Sequence, residues 1–588
     1  MLLRLQPVGN RIAAMTTSNA DALRNRPVPS AGNGAWTIVV PRDAPVDIET
    51  AGLTLRDTLA ATGAGPFRLA RDTTAGKGPE IVLGLNDPKT ACSPLARLDE
   101  QGFVIRAEDD RLYISGGGVA GVVNGVYAFL EDHIGCRWLT STAAYIPNLK
   151  HLAVGPLNES ASPAFAYREV FYRDAWHRDF ALPNRLNGQG SECPPNMLRE
   201  LHIGWGTWCH TFSLHVPPER YYDDHPEYFA LVNGERVPDR QLCLTDESVL
   251  RIVVEDLEDR IAQQPEARYW SVSQNDCLGY CECERCSAID EREGSHMGSL
   301  LSFVNRVAAH FPDRVISTLA YQYSRKPPRI LRPADNVLIT LCSIECDRSR
   351  PIPDSTGDTS FRDDLLAWAA LTDDLFVWDY VVQFSNLVSP FPNLHVLGPN
   401  MRFFAEHRVK GIFSQGNRET GGEFAELRAF LLAKLSWDPY YDVERGTADF
   451  LTRYYGPAAE PIGTYVDTMH RALTNSGAGL RIFGGPSDAT ASYLTADLIR
   501  AYERLFDEAE EACASDDTLL LRVRAARLPL QYASLRLEHG SAARRRAILR
   551  AFADTSRLTG MEKVEEWHCT VDQFVDEMTQ RLVQGETG

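Results

Sequence analysis

The stretch SHMGSLLSFVNRVAAHFPDRVISTLAYQYS, Ser295–Ser324, decides the fold. Its first half places apolar residues at helical spacing, from Met297 through Leu300, Leu301, Val304 and Val307. Its second half, VISTLAYQYS, is an apolar β-rich run that ends in polar and aromatic residues. A helix that feeds a buried strand is half of a parallel β/α unit. The same rhythm extends both ways, through AYREVFYR, LHIGWGTWCHTF, YWSVSQND, NVLITLCSIECD, LFVWDYVV and VKGIFSQGNRE, with PNLHVLGPNMRFFAEH as another interleaved helix. Strand–helix alternation over about 250 residues predicts an α/β fold, a (β/α)8 TIM-like barrel over residues 160–440. Such barrels carry their chemistry at the C-terminal strand ends. Those ends hold Arg168, Glu169, His210, Asn275, Asp276, Tyr321, Glu345, Asp379 and Glu419.

The flanks differ in pattern. Residues 31–155 predict a small α/β domain, in which GFVIRAEDDRLYISGGG forms a hairpin and AGVVNGVYAFLEDHIGCRWL a helix ending at Gly135. Gly116–Gly118 lack the Lys-Ser/Thr of a phosphate loop and the spacing of a dinucleotide fingerprint, so they predict a tight strand-to-helix turn. Residues 441–588 are helical in spacing and form a helical domain that buttresses the barrel or mediates assembly, including homo-oligomers. Residues 1–30 form a loose leader, with Arg4, Gln6, Pro7 and Asn10 breaking any signal-peptide core.

Composition narrows the partners. The chain has 588 residues and a formal net charge of -19, which argues against a nucleic-acid partner. No apolar run reaches the ~20 residues that span a bilayer, so no membrane partner is expected. Thirteen cysteines in a chain this long do not make a disulfide scaffold. Reduced thiols in a cytoplasm are the default, with export by an unusual route left open.

Four strand ends suggest chemistry. Asp276 follows a buried strand, where lost hydration would raise its pKa toward that of a general acid, and Asn275 beside it can hold an amide or hydroxyl. The plainer role of the pair is a turn or helix cap. Glu345 lies just past a strongly apolar strand. Asp379 lies between Trp378 and Tyr380, and aromatics around a carboxylate suit a sugar ring, though core packing accounts for at least one of them. These carboxyls could supply the pair that glycoside hydrolysis usually needs. His210 could bond a sugar hydroxyl, or be structural. Arg168, Tyr321 and Glu419 complete the candidate substrate-binding set.

Cys277, Cys281, Cys283 and Cys286 are spaced C-x3-C-x-C-x2-C. One loop could supply three ligands to a structural zinc, the fourth being Cys277, Cys243 or Cys346. Packed free thiols are the alternative. With no HExxH or similar His pair, no cofactor is expected for catalysis.

The segments VSQNDCLGYCECERC, HPEYFALVNGERVPDRQLCLTD, VWDYVVQFSNLVSPFPNLHVLGPNMRFFAEHRVKGIFSQG and ELRAFLLAKLSWDPYYDVERGTADFLTRYYG resemble the bacterial family known as domain of unknown function 4838. Part of that family is glycoside hydrolase family 163, endo-β-N-acetylglucosaminidases of complex N-glycans. The resemblance covers about residues 165–460. Upstream, GFVIRAEDDRLYISGGGVAGVVNGVYAFLEDHIGCRWL is similar to the domain that precedes α-glucuronidase and hexosaminidase barrels. The resemblance implies a carbohydrate substrate and a retaining, substrate-assisted hydrolase of β-linked N-acetylhexosamine. Asn275-Asp276 is similar to the acetamide-orienting and acid pair of such enzymes. The competing expectations are a two-carboxylate glycosidase, for example of uronic acids, using Glu345 and Asp379, and a non-catalytic sugar-binding barrel.

Overall fold

The structure is a computed structural model that describes residues 36–71, 78–85, 98–108, 111–188, 201–355, 360–567 and 569–584. The expected leader, residues 1–30, lies outside them. The chain forms two compact units, residues 1–136 with 146–162, and residues 137–145 with 163–588.

The first unit is built on a six-stranded sheet. Its strands run Phe67–Arg71, Trp36–Val40, Glu80–Leu85, Arg111–Gly116, Phe103–Glu108 and Asn158–Ala161 across the sheet. The first four are parallel and the last two pair antiparallel. Helices Val46–Ala61 and Val119–Ala128 accompany it. The Phe103–Glu108 and Arg111–Gly116 strands are the expected hairpin. Gly116 and Gly117 lead directly into helix Val119–Ala128, and a Cβ on Gly117 would stand 2.1 Å from the Asp99 carbonyl. Close backbone approach explains these glycines, with no phosphate required. The later helical run ends at Gly135, whose φ of 89° is left-handed.

The second unit contains all seven strands expected from the sequence. They lie in the order Trp205–Thr207, Tyr269–Ser271, Val315–Ala320, Val337–Cys342, Leu375–Tyr380, Gly411–Gln415 and Tyr167–Phe171. Every neighbouring pair is parallel. The sheet is rolled. Tyr167 from one end strand meets Trp205 from the other at 6.0 Å, and both join Tyr269, Leu338 and Phe376 in one core cluster. Of the expected eight-stranded barrel, the described residues form a rolled parallel sheet of seven strands. Helices Glu247–Gln263, Met297–Ala308, Phe361–Ala369, Leu394–Glu406 and Ala425–Trp437 alternate with its strands, except that only the 3-10 turn Gln322–Ser324 separates Val315–Ala320 from Val337–Cys342.

Six further helices, from Val443–Tyr455 to Val571–Gln584, belong to this same compact unit. Asp442, Thr495, Asp516 and Ser541 cap four of them through side-chain oxygens that accept backbone N–H bonds. No described helix is long and apolar enough to cross a membrane.

Candidate active site

Strand alternation decides which residues share the interior of the rolled sheet. Side chains two residues apart face the same way. Tyr167 lies in the interior core, so Glu169 and Phe171 face inward with it. The Tyr167 hydroxyl donates to the Glu169 carboxylate, and the Phe171 ring meets Phe413. Arg168 faces the other way. It is 1% exposed, and its guanidinium donates to the Arg185 and Phe165 carbonyls at 2.9 and 2.7 Å, over the Trp437 ring. Its expected substrate-binding role is corrected to a structural one.

The same parity splits Leu375–Tyr380. Trp378 and Tyr380 stack at 6.0 Å, and Trp378 meets Trp208 at 5.7 Å and Phe413 at 4.5 Å. Trp378 Nε1 donates to Gln415 Oε1 at 2.5 Å. Asp379, between them, is 4% exposed and accepts from Ser343 Oγ at 2.7 Å. It lines a void of about 10 Å³ with Arg348, Asn393 and Asn400, on the side of helix Leu394–Glu406. Burial, opposed by Arg348 and the Ser343 hydroxyl, pushes its carboxyl above the usual range. Asp379 is not in the site, and its expected catalytic role is corrected: a strand residue cannot share a face with both neighbours.

Asp276 and Glu345 both act on Tyr321, Asp276 through a hydrogen bond and Glu345 through its charge. The Tyr321 hydroxyl donates to Asp276 Oδ1 at 3.0 Å and accepts from Gln322 Nε2 at 3.0 Å. Burial, then Asp276, Cys342 and Glu345, push its phenol above its ordinary value, so it remains a proton-bearing donor. Gln322 has a left-handed φ of 51°, which turns its amide back onto that hydroxyl. Glu345 is held by Arg325, whose Nη1 lies 2.7 Å from Oε2 while its Nε pairs with Asp364 at 2.7 Å. Both carboxyls stay accessible: Asp276 is exposed, and the Glu345 side chain is 44% exposed. The expected burial of Asp276 is therefore corrected, because the strand stops at Ser271 and five loop residues carry Asp276 outward.

His210 packs edge-on against Tyr321 at 5.7 Å. Its Nδ1 lies 2.9 Å from the Gln274 carbonyl, which only accepts, so Nδ1 carries a proton and the tautomer with Nδ1–H leaves Nε2 as an acceptor. Its φ of 55° is left-handed, a conformation uncommon outside glycine and found at binding sites. Next to it, burial followed by Asp276 and Glu169 pushes the Cys209 thiol up to about 12, which makes it a poor nucleophile.

Asn275 has a different task. Its Nδ2 donates to the Arg240 carbonyl at 2.7 Å, and its Oδ1 accepts from the Ser213 N–H at 3.0 Å. Gln241 clasps the same backbone, accepting from Asn275 N at 2.8 Å and donating to the carbonyls of Asn275 and Cys277 at 3.0 and 2.7 Å. Asn275 thus fixes the loop that carries Asp276, and its amide is engaged at both ends rather than offered to a substrate acetamide. Glu419 pairs through Oε1 with Arg418 at 3.1 Å and Lys563 at 3.3 Å, while its Oε2 is buried with no hydrogen-bond partner among the described residues.

The cysteines regroup. Sulfurs of Cys243, Cys281, Cys283 and Cys286 all lie within 4.8 Å of one another. Cys277 is not among them: its Sγ lies 3.5 Å from Gln241 Nε2 and 3.8 Å from the Asp239 carbonyl. The expected set is corrected by exchanging Cys277 for Cys243. Beyond this loop, a cavity of about 530 Å³ is lined by Tyr280, Glu282, Asp290, His296, Tyr323 and Lys326.

Trp208 and Arg325 were not singled out as functional from the sequence, and Glu169 was placed at a strand end without a role. Parity with Tyr167 is the signal that marks Glu169. Arg325 sits in a Pro-rich loop with no periodicity to mark it.

A family model described as a domain of unknown function, DUF4838, matches residues 138–467, more than half of the chain. The chain belongs to the DUF4838 family. No curated protein matches it. Among solved structures, this DUF4838 chain is similar to a family GH115 4-O-methyl-α-glucuronidase with specificity for decorated arabinogalactans. The likeness covers 91% of this chain and 78% of the other, at 12% identity and a TM-score of 0.57, and it shows shared fold. A GH138 enzyme targeting pectin rhamnogalacturonan II matches at 10% identity and a TM-score of 0.42, covering 94% and 99% of the two chains. CpGH84D matches at 10% identity and 0.47, covering 94% and 96%.

Proposed function

We propose that this DUF4838 protein is a glycoside hydrolase that cleaves a β-linked N-acetylhexosamine in a glycan. The observation that carries the reading is the hydrogen bond that Tyr321 donates to Asp276, with the Glu345 charge acting on the same phenol. Hydrolysis of a glycosidic bond requires a proton for the leaving oxygen and negative charge near the oxocarbenium-like centre. Asp276, oriented by Tyr321, is the acid/base. Glu345, oriented by Arg325, supplies the opposing charge. Trp208, half-buried and packed on Trp378, offers an apolar face to a sugar ring, and His210 Nε2 accepts from a hydroxyl. The N-acetylhexosamine assignment rests on the resemblance to glycoside hydrolase family 163, with the substrate acetamide as nucleophile.

A second mechanism is favoured by one observation. Asn275 is bonded at both ends, so the acetamide-orienting partner expected beside Asp276 is missing from that position. In the two-carboxylate form of the reaction, Glu345 itself is the nucleophile or base. Uronic acids draw less support. Arg168, Arg325 and Arg418 are each engaged by protein groups, whereas uronate recognition wants a guanidinium facing the sugar. The named α-glucuronidase shares the fold and not this chain's substrate by that fact alone.

The test is turnover of p-nitrophenyl N-acetyl-β-glucosaminide and of a complex N-glycan by the purified chain and by D276N. Release by the wild type with loss in the variant supports the reading. Glycan binding without release by the wild type would make the protein a sugar-binding barrel. Inhibition by a thiazoline analogue separates acetamide participation from the two-carboxylate form.

A further inference from the structure

The four-sulfur cluster lies outside the chemistry above and is assembled from two distant segments. Cys243 comes from the loop that leads into helix Glu247–Gln263. Cys281, Cys283 and Cys286 come from the loop after Asp276 and the first turn of helix Glu284–Glu293. A tetrahedron of sulfurs about 2.3 Å from a zinc ion has edges of about 3.8 Å. The Cys243 and Cys283 sulfurs already stand 3.7 Å apart.

The surroundings suit thiolates. The Leu231 N–H donates to Cys281 Sγ at 3.4 Å, and Arg236 Nη1 lies 3.8 Å from the same sulfur. The Thr245 hydroxyl reaches Cys286 Sγ at 3.3 Å. Four thiolates around a divalent ion carry a net negative charge, and a cation plus N–H and O–H donors at the sulfurs offset it. Cys243, Cys281 and Cys286 are buried and Cys283 is half-buried, so the cluster is largely shielded from solvent, as suits a structural zinc site.

The local fold needs such a fastening. Residues 226–246 hold only a short 3-10 turn and two paired two-residue strands, Leu231–Val232 and Glu235–Arg236. The small core beneath them consists of Ala230, Cys243, Cys281 and Cys286, with Leu231, Val232 and Cys283 against it. Sulfur makes up most of that core. A segment with so little apolar area is usually held by a metal or a cross-link.

We propose that Cys243, Cys281, Cys283 and Cys286 bind one zinc ion as a structural four-thiolate site that fastens the Asp276 loop to the segment before helix Glu247–Gln263. Each thiol loses its proton on binding, and no redox change occurs. Gln241, two residues before Cys243, holds Asn275 and Cys277, so the ion fixes both sides of the loop that presents Asp276. That last consequence rests on the functional reading above, whereas metal content is read without any substrate.

The test is metal analysis of the purified full-length chain, with release of the ion by an organomercurial followed with a zinc dye. About one zinc per chain is expected, bound until the thiols are modified. C277S should keep the zinc, and C286S should lose it. If C286S fails to fold, wild-type stoichiometry and mercurial release still decide. A folded wild-type chain with no zinc, with iron in its place, or with a disulfide among these four cysteines would overturn the proposal, as would zinc loss in C277S.

Discussion

The Tyr321 hydroxyl donates a 3.0 Å hydrogen bond to Asp276 Oδ1. The two residues come from successive strand–loop junctions of the rolled sheet. Tyr321 is clamped by Gln322 and by the edge of His210, so it fixes the plane of an otherwise exposed carboxyl. Removing proton transfer should cost more than removing orientation. D276N is expected to lower kcat by about 10²–10⁴-fold, and Y321F by about 10-fold, in steady-state assays on the glycan substrate. Equal turnover by D276N and wild type would remove Asp276 as the acid.

Glu345 separates the two mechanisms. If its carboxylate is nucleophile or base, E345Q should lose about 10²-fold or more in kcat/KM. If the substrate acetamide takes that part, the loss should be about 10-fold or less, and a thiazoline should inhibit both forms. Arg325→Met, which frees Glu345 from its partner, should follow E345Q in direction and leave KM nearly unchanged.

Asp379 is expected to matter for stability and not for turnover. D379N keeps the shape of the Ser343 contact and should retain kcat/KM within about threefold. D379A leaves the buried Ser343 hydroxyl without its acceptor and should cost about 1–3 kcal/mol in urea unfolding. A large loss of kcat in a stable D379N would return Asp379 to the site.

The cavity beyond the Asp276 loop has stacked aromatic walls, with Tyr280 and His296 rings 3.6 Å apart. If the proposed hydrolase activity holds, this cavity is the place for a sugar unit flanking the cleaved bond. Y280A is expected to raise KM for a long glycan about fivefold with little change in kcat, and to leave a short chromogenic substrate unaffected. An equal effect on both substrates would count against a flanking subsite.

Glu566 gives a pH signature. Burial and the neighbouring Glu419, opposed by Arg418 and Lys563, push its carboxyl from 4.5 up to about 7. The folded chain then holds this proton longer than the unfolded chain does. Between about 4.5 and about 7 the folded state binds more protons, so this group's contribution to stability falls as pH rises through that window. E566Q should raise the melting temperature at pH 8 and leave it nearly unchanged at pH 4. An equal effect at both pH values would show that the carboxyl titrates normally.

Strand parity explains which site residues were legible. Asp276, Glu345, Tyr321 and His210 all lie past strand ends, where an apolar run stops, and that stop is visible in sequence. Arg168 and Asp379 lie inside their strands, and their facing depends on which alternate residue packs into the interior. Asp379 looked suitable because Trp378 and Tyr380 flank it, yet those aromatics point inward and thereby turn it outward.

By itself, the sequence determined the alternation of apolar strands and amphipathic helices, because burial of one face dictates spacing along the chain. It also determined the strand-end position of Asp276 and the cysteine density after it. Only the tertiary structure decided that Tyr321 bonds Asp276 while the Glu345 charge acts on the same phenol, that Asn275 is consumed in holding a loop, and that Cys243 replaces Cys277 in the sulfur cluster. These relations join residues tens of positions apart, from Cys243 to Cys283 and from Asp276 to Tyr321. Such pairs are set by how the sheet rolls and where its loops fold back, and nothing in the local spacing of either partner encodes the other.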